Sequence, residues 1–246
     1  MKKPIRILLV GARGRMGKAI AAAAENRSEV TISGKVDRND PLDLSIHDSD
    51  VVIDFSHTEA TELVCRTCLE NKKPLVLGTT GHAEEQIKLI EAAAQAVPIL
   101  FAPNFSIGVN TLFWLTRKAA ELLGLEFDLE IVEMHHRSKK DSPSGTAKRL
   151  GEILIKARSL DYGKNVAHGR KGPIGERPHD EIGMHALRGG DVVGEHTVIF
   201  AGQGEQLELT HRASSRETFA LGALRAAQWI VGKSPGLYSM QDVLGL

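Results

Sequence analysis

The chain has 246 residues and equal numbers of basic and acidic side chains, 31 Lys plus Arg against 31 Asp plus Glu. Such a length fits one large or two modest domains with a sizeable core, and the balanced charge gives no general basis for binding nucleic acid or an anionic membrane. Aromatic residues make up only 4%, too few for base-stacking platforms, and no apolar run approaches the ~20 residues of a membrane span.

The first elements read as βαβ units. An apolar strand is expected over residues 5–10, its pattern too short for a secretory leader and followed by Arg13 and Arg15. Straight after it comes Gly11-Ala12-Arg13-Gly14-Arg15-Met16-Gly17, opening a helix expected over 15–25. Glycines at a strand-to-helix turn allow the tight bend, let a pyrophosphate approach the backbone and let helix and strand pack closely. The spacing is Gly-x-x-Gly-x-x-Gly, a variant of the commoner dinucleotide fingerprint.

A second strand, over 30–36, ends at Asp37. An acidic group there accepts hydrogen bonds from an adenosine ribose, which favours NADH. Arg38 follows and Lys35 precedes it, so a 2′-phosphate has cations within reach and dual use with NADPH stays open.

Further strands are expected over 51–55, 74–77 and 99–101, with helices over 59–71 and 84–96. Continuous apolar strands between amphipathic helices predict a doubly wound parallel sheet of the Rossmann kind. Ligands gather at the carboxyl ends of such strands, so Gly78-Thr79-Thr80 and Ala102-Pro103-Asn104-Phe105 are candidates for the nicotinamide end. Cys65 and Cys68 are the only cysteines and fall inside a helical stretch; they read as packing residues in a reducing, cytoplasmic protein.

Beyond residue 104 the pattern changes. A helix over 108–123, a strand over 126–134, a basic loop, a helix over 146–158, a Gly- and Pro-rich loop over 161–180 and strands over 182–187, 191–200 and 206–213 predict an α+β domain with antiparallel or mixed pairing. A final helix is expected over 217–231. The expected division is a dinucleotide-binding domain of residues 1–106, completed by 213–246, and a substrate-binding and oligomerisation domain of 107–212.

The basic loop carries the chemistry. It runs His135-His136-Arg137-Ser138-Lys139-Lys140 and leads into Ser144-Gly145-Thr146 at a helix start. Imidazoles move protons near neutral pH, ammonium and guanidinium groups hold carboxylates, and a helix N-terminus adds a positive potential. A small dicarboxylate is the expected ligand. Two adjacent histidines on an extended backbone point opposite ways, one toward chemistry and the other toward binding or packing. No metal is expected, because the pair lacks chelating helical spacing and no acidic cluster accompanies it. Lys140 and Lys148 read as solvated, and Glu195 and His196 as buttresses of the site or of a subunit contact.

Nearly end to end, the chain resembles the dihydrodipicolinate reductase family of lysine and diaminopimelate synthesis. The residues that carry the resemblance are the glycine turn, Asp54-Phe55-Ser56, Gly78–Gly81, Asn104–Ser106 with Gly108–Asn110, the loop from His135 to Ala147, Arg188 to His196, His211 and Ala213 to Arg216. The resemblance implies a proton-donating role for His135 and Lys139, substrate binding by His136, Gly145 and Thr146, and cofactor contacts from Gly11 to Met16, Asp37, Gly78 to Thr80 and Ala102 to Phe105. It also implies reduction of 4-hydroxy-tetrahydrodipicolinate and a homotetramer whose nucleotide domain is completed by the C-terminal helix. Two positions depart from some members: Ser138 replaces a third histidine and His57 an arginine near the cofactor. Dehydrogenation of another small carboxylate and a catalytically silent cofactor sensor are the rival readings.

Overall fold

The structure is a computed structural model that describes residues 3–246. The chain divides into two compact units, residues 1–107 with 216–246, and residues 108–215.

In the first unit β1 (Ile5–Val10), α1 (Arg15–Glu25), β2 (Val30–Val36), α2 (Leu42–Ile46), β3 (Val51–Asp54), α3 (Thr61–Glu70), β4 (Leu75–Leu77), α4 (Glu84–Ala94) and β5 (Pro98–Phe101) follow one another. Their strands are parallel, in the order β2-β1-β3-β4-β5. The alternation of side chains along a strand explains why β1 is apolar throughout. Ile7 and Leu9 enter one core with Ile20, Ala23 and Ala24 of α1, while Leu8 and Val10 enter the opposite core with residues of α2, α3 and α4. Cys65 and Cys68 belong to that second core, and burial pushes the Cys65 thiol up to about 12 and that of Cys68 well above its usual range. Neither is a thiolate near neutral pH, which agrees with a packing role.

The second unit contains α5 (Ile107–Leu123), β6 (Asp128–His135), α6 (Gly145–Arg158), α7 (Tyr162–Asn165), β7 (Val166–His168), β8 (Ile182–Arg188), β9 (Gly194–Gly202) and β10 (Glu205–Ala213). The sheet order is β10-β9-β6-β8-β7 and the pairing is mixed: β6, β8 and β7 run parallel, whereas β9 and β10 are antiparallel to their neighbours. Leu129 and Ile131 of β6 pack with Val109, Leu112 and Phe113 of α5 and with Leu150 and Leu154 of α6.

The remaining chain belongs to the first unit. Helix α8 (Glu217–Ile230) lays Ala220, Ala223, Ala226 and Ala227 into the core shared with α1. A side chain at Gly222 would lie 1.8 Å from the Phe105 carbonyl oxygen, so glycine sets how closely this helix approaches. Then β11 (Gly236–Tyr238) adds a sixth strand beside β5, and α9 (Met240–Leu244) closes the chain.

Sequence patterning misses short elements. Residues 161–180 are not wholly loop, since they hold α7 and β7, and the segment after residue 231 holds β11 and α9. Elements of three to five residues are too short to show a hydrophobic period and are fixed by what they pack against.

Candidate active site

In the first unit the strand order reverses between β1 and β3, where an open α/β sheet has its binding crevice. A cleft of about 390 Å³ lies there, lined among others by Gly11 and Gly14 after β1, Asp37 to Asp40 after β2, and Phe55 to His57 after β3. Gly11 sits at φ 77°, and a Cβ on it would come within 2.5 Å of the Phe55 carbonyl oxygen. Both conformation and space therefore demand glycine. At Gly17 a Cβ would approach the Gly11 carbonyl oxygen at 2.2 Å, so this position lets α1 start tight against the turn.

Asp37 stands at the cleft with one carboxylate oxygen accepting from the Arg13 backbone N–H at 2.7 Å and the other from the Arg38 N–H at 3.1 Å. These amides hold its carboxyl below the usual range, so it is an anion at the cleft wall. The flanking cations are neutralised in part: Arg13 lies 3.6 Å from Asp40 and Arg38 lies 3.5 Å from Glu59, both pairs largely exposed. Ala12 and Met16 pack on the first core, and Arg15 is exposed.

The two later glycine and proline segments, Gly78–Thr80 and Ala102–Phe105, do not line this cleft. They sit beyond the ends of β4 and β5 and are tied to the β3 end: the Phe55 ring occupies the space a side chain on Gly78 would need, and it packs on the Phe105 ring at 5.2 Å. Thr79 donates its hydroxyl to the buried Asp54 carboxylate at 3.3 Å. Pro103 and Thr80 are exposed.

In the second unit the buried face of β6 reads Leu129, Ile131, Glu133, His135. Apolar side chains fill the middle of the strand and ionisable ones its carboxyl end. Glu133 is fully buried and its carboxylate accepts four hydrogen bonds: from Ser144 N–H (3.0 Å) and Arg188 Nη2 (2.8 Å) on one oxygen, and from Arg188 Nη1 (2.8 Å) and His135 Nδ1 (2.5 Å) on the other. Burial alone would raise this carboxyl, but the bonds from His135, Arg188 and Ser144 override it and hold the group down to about 2. The loop backbone is fixed as well, through Gly189 N–H to the His135 carbonyl and Arg137 N–H to that of Gly190.

Ser144 caps α6 by accepting from Ala147 N–H at 3.2 Å, and its hydroxyl also meets His196 Nε2 at 3.0 Å. His196 is 4% exposed and stands edge-on to His135 at 5.1 Å between ring centres. Burial first, then the field of His135, pulls its imidazole down to about 3, so His196 is a neutral wall rather than a second cation.

The remaining loop residues are less enclosed. Lys139 pairs with Asp141 at 2.9 Å, and Arg188 reaches the Asp141 carbonyl at 2.8 Å. His136 is half-buried, and its carbonyl accepts the Lys139 N–H. Thus the two histidines do part, with His135 inward. Gly145 and Thr146 open α6, Lys140 and Lys148 are exposed, and Glu195 pairs with Arg212 at 3.2 Å instead of joining the cluster. Glu133 and Arg188 were not singled out in the sequence as site residues. The signal was the alternation along β6, which puts a carboxylate where a core residue is due.

Residues 5–105 match the family described as dihydrodipicolinate reductase, N-terminus, and residues 108–244 match dihydrodipicolinate reductase, C-terminus. The chain belongs to the dihydrodipicolinate reductase family. It is 54% identical over 242 residues to the 4-hydroxy-tetrahydrodipicolinate reductase of Akkermansia muciniphila, with 98% of each chain covered. The reductase of the same name from Syntrophotalea carbinolica is 44% identical over 265 aligned positions, covering 98% of this chain and 99% of the other. Among solved structures, a dipicolinate-bound dihydrodipicolinate reductase from Paenisporosarcina sp. TG-14 has the same fold, with a TM-score of 0.80, 24% identity and coverage of 97% and 98%.

Proposed function

We propose that this chain reduces 4-hydroxy-tetrahydrodipicolinate to tetrahydrodipicolinate, the lysine and diaminopimelate branch reaction for which its relatives are named. The observation that carries this reading is the buried ionic group at the end of β6, where Glu133 holds His135 beside the helix start at Ser144 in a loop that retains Lys139. The first unit then serves as the nucleotide domain and the second as the substrate domain.

Gly11 to Met16 and Asp37 would hold a dinucleotide, with the backbone of the glycine turn at the pyrophosphate and Asp37 at the adenosine ribose. Gly78 to Thr80 and Ala102 to Phe105 are assigned to its nicotinamide end. When bound, the nicotinamide supplies the hydride. Asp37 favours NADH because it is an anion where NADPH carries a phosphate. Arg38 lines the same cleft, so a 2′-phosphate has one cation within reach and use of NADPH stays open, while His57 stands where some relatives place a phosphate-pairing arginine.

Substrate carboxylates are held by His136 and by the N–H groups of Gly145 and Thr146 at the α6 start, with Lys139 as a neighbouring cation. His135, with Lys139, supplies the proton that balances the hydride. The family resemblance implies a homotetramer, and a particle of four 26.7 kDa chains in solution is expected.

The test is to mix the purified chain with NADH or NADPH and with substrate formed in place from pyruvate and aspartate semialdehyde, following loss of reduced cofactor. Oxidation requiring every component supports the reading and ranks the cofactors. Cofactor binding without oxidation would move the assignment to another small carboxylate or to a sensor. His135→Gln should lower turnover by about 10²- to 10⁴-fold and leave cofactor affinity unchanged; unchanged turnover removes His135 from the chemistry.

A further inference from the structure

Each oxygen of Glu133 accepts two hydrogen bonds, and together these use the four acceptor positions of a carboxylate. All four donors are fixed by secondary structure. Ser144 N–H belongs to the cap of α6, Arg188 ends β8, and His135 lies two residues along the same strand. Arg188 is paired with His135 across the β6–β8 ladder, which brings its guanidinium to the carboxylate in bidentate form.

An ionised carboxylate has no proton to give. The atom of His135 facing it, Nδ1, must therefore carry one. In the neutral ring the lone pair is then on Nε2, and in the imidazolium the transferable proton is on Nε2. That atom faces Gly194 at the start of β9, where an added Cβ would stand 3.0 Å from it. Any side chain there would press on Nε2, so glycine keeps this edge of the ring from being crowded.

We infer that Glu133, clamped by Arg188 and the Ser144 N–H, is a positioning residue that fixes His135 as its Nδ1–H tautomer, so that the proton exchanged with substrate passes through Nε2 beside Gly194. On release, the Nε2 proton passes to the substrate, its N–H electron pair stays on the imidazole, and the neutral Nδ1–H ring is reprotonated from solvent. The charged and titratable groups around the ring are Glu133 on its own strand, Arg188 on β8, His196 on β9 with His211 paired behind it on β10, and Lys139 and Asp141 in the loop. Of these, Glu133 is the anion in direct contact and Arg188 its counter-charge. Removing the carboxylate while keeping its shape therefore destabilises the imidazolium.

This rests on the reductase reading, and two measurements separate them. Ring-nitrogen NMR shifts of the ¹⁵N-histidine-labelled chain above pH 8, with His135 assigned by its loss in His135→Gln, should show a protonated Nδ1. An Nε2–H ring overturns the inference whether or not the enzyme turns over. In Glu133→Gln, kcat should fall about 10- to 100-fold, as for other outer-shell partners of a working histidine, with KM nearly constant. A folded variant with wild-type kcat refutes the role. Should that variant fail to fold, Gly194→Ala is expected to lower kcat while keeping the Nδ1–H signature, and full activity there refutes Nε2 as the exchanging atom. A wild-type chain with the expected tautomer and no turnover on either cofactor would sink the reductase reading alone.

Discussion

Asp54 ends β3 with its carboxylate fully buried, accepting from Ser56 N–H at 2.9 Å and from the Thr79 hydroxyl at 3.3 Å. Burial outweighs these bonds and pushes the group up to about 6 from 3.8. A carboxyl raised on folding is held more tightly as the acid in the native state, so its cost is present above pH about 6 and disappears as pH falls toward 3.8. Asp54→Asn keeps an acceptor for Ser56 and should be more stable than the wild type by on the order of 2 kcal/mol at pH 7.5. Urea titrations should show that gap closing near pH 4; a gap independent of pH would refute the assignment. Glu133 shows the opposite balance, with four donors against the same burial. The two carboxylates looked alike in the sequence, each an acidic residue near a strand end. What separates them is the number of donors that other elements bring, and single-sequence spacing does not record that. By contrast Gly11, Gly17, Asp37 and His135 were legible, because the two glycines belong to a local strand-turn-helix, Asp37 closes the next strand, and His135 belongs to a cluster of unusual composition.

At the level of elements, continuous runs such as β1 and amphipathic helices such as α1 show their period in the sequence and were recovered within a residue or two. The region 161–180 was not, because its order comes from a tertiary clasp. Arg177 donates to Asp128 at 2.7 Å, to Glu130 at 3.1 Å and to the carbonyls of Leu129, Pro178 and Glu181. Arg170 reaches both Glu130 and Glu181, and His185 completes the group at 2.7 Å from Glu130. Here the chain passes Gly169, Gly172 and Gly175, all at positive φ, which supply bends but no packing. The strap is therefore held by two arginines. Arg177→Ala should ease its opening by about 1.5 kcal/mol, a roughly tenfold rise in tryptic nicking at Arg170 and Lys171. Cleavage kinetics with full-length mass analysis read this directly, and an unchanged rate would show that the clasp adds nothing.

Across the whole molecule, the two units should respond to acid in opposite senses. Glu130 and Glu133 of the second unit are both held down to about 2 from 4.5, each by arginine and histidine partners that outweigh burial. For a carboxyl lowered on folding, the stabilisation is complete above the unfolded value of 4.5 and is lost as pH falls through about 2. In the first unit burial raises the Asp54 carboxyl to about 6, which favours the native state as pH falls from about 6 to 3.8. Asp37 and Asp50 there are also held low, but they lie nearer solvent, where their partners are screened. Acidification from pH 5 to 3 should thus weaken the second sheet while sparing the first. Hydrogen exchange with rates corrected for pH should show the amides of β6, β8 and β9 losing protection before those of β1, β3 and β4. Protection lost first in β1 and β3 would mean that the buried Asp54, and not the Glu130 and Glu133 clusters, governs acid sensitivity. The expected order has a consequence for activity. Glu133, held down to about 2, stays ionised in the folded chain at pH 3.5, so a fall in turnover there should report weakening of the second sheet around His135 while dinucleotide binding to the glycine turn persists, and paired measurements at pH 3.5 and 7 distinguish the two losses.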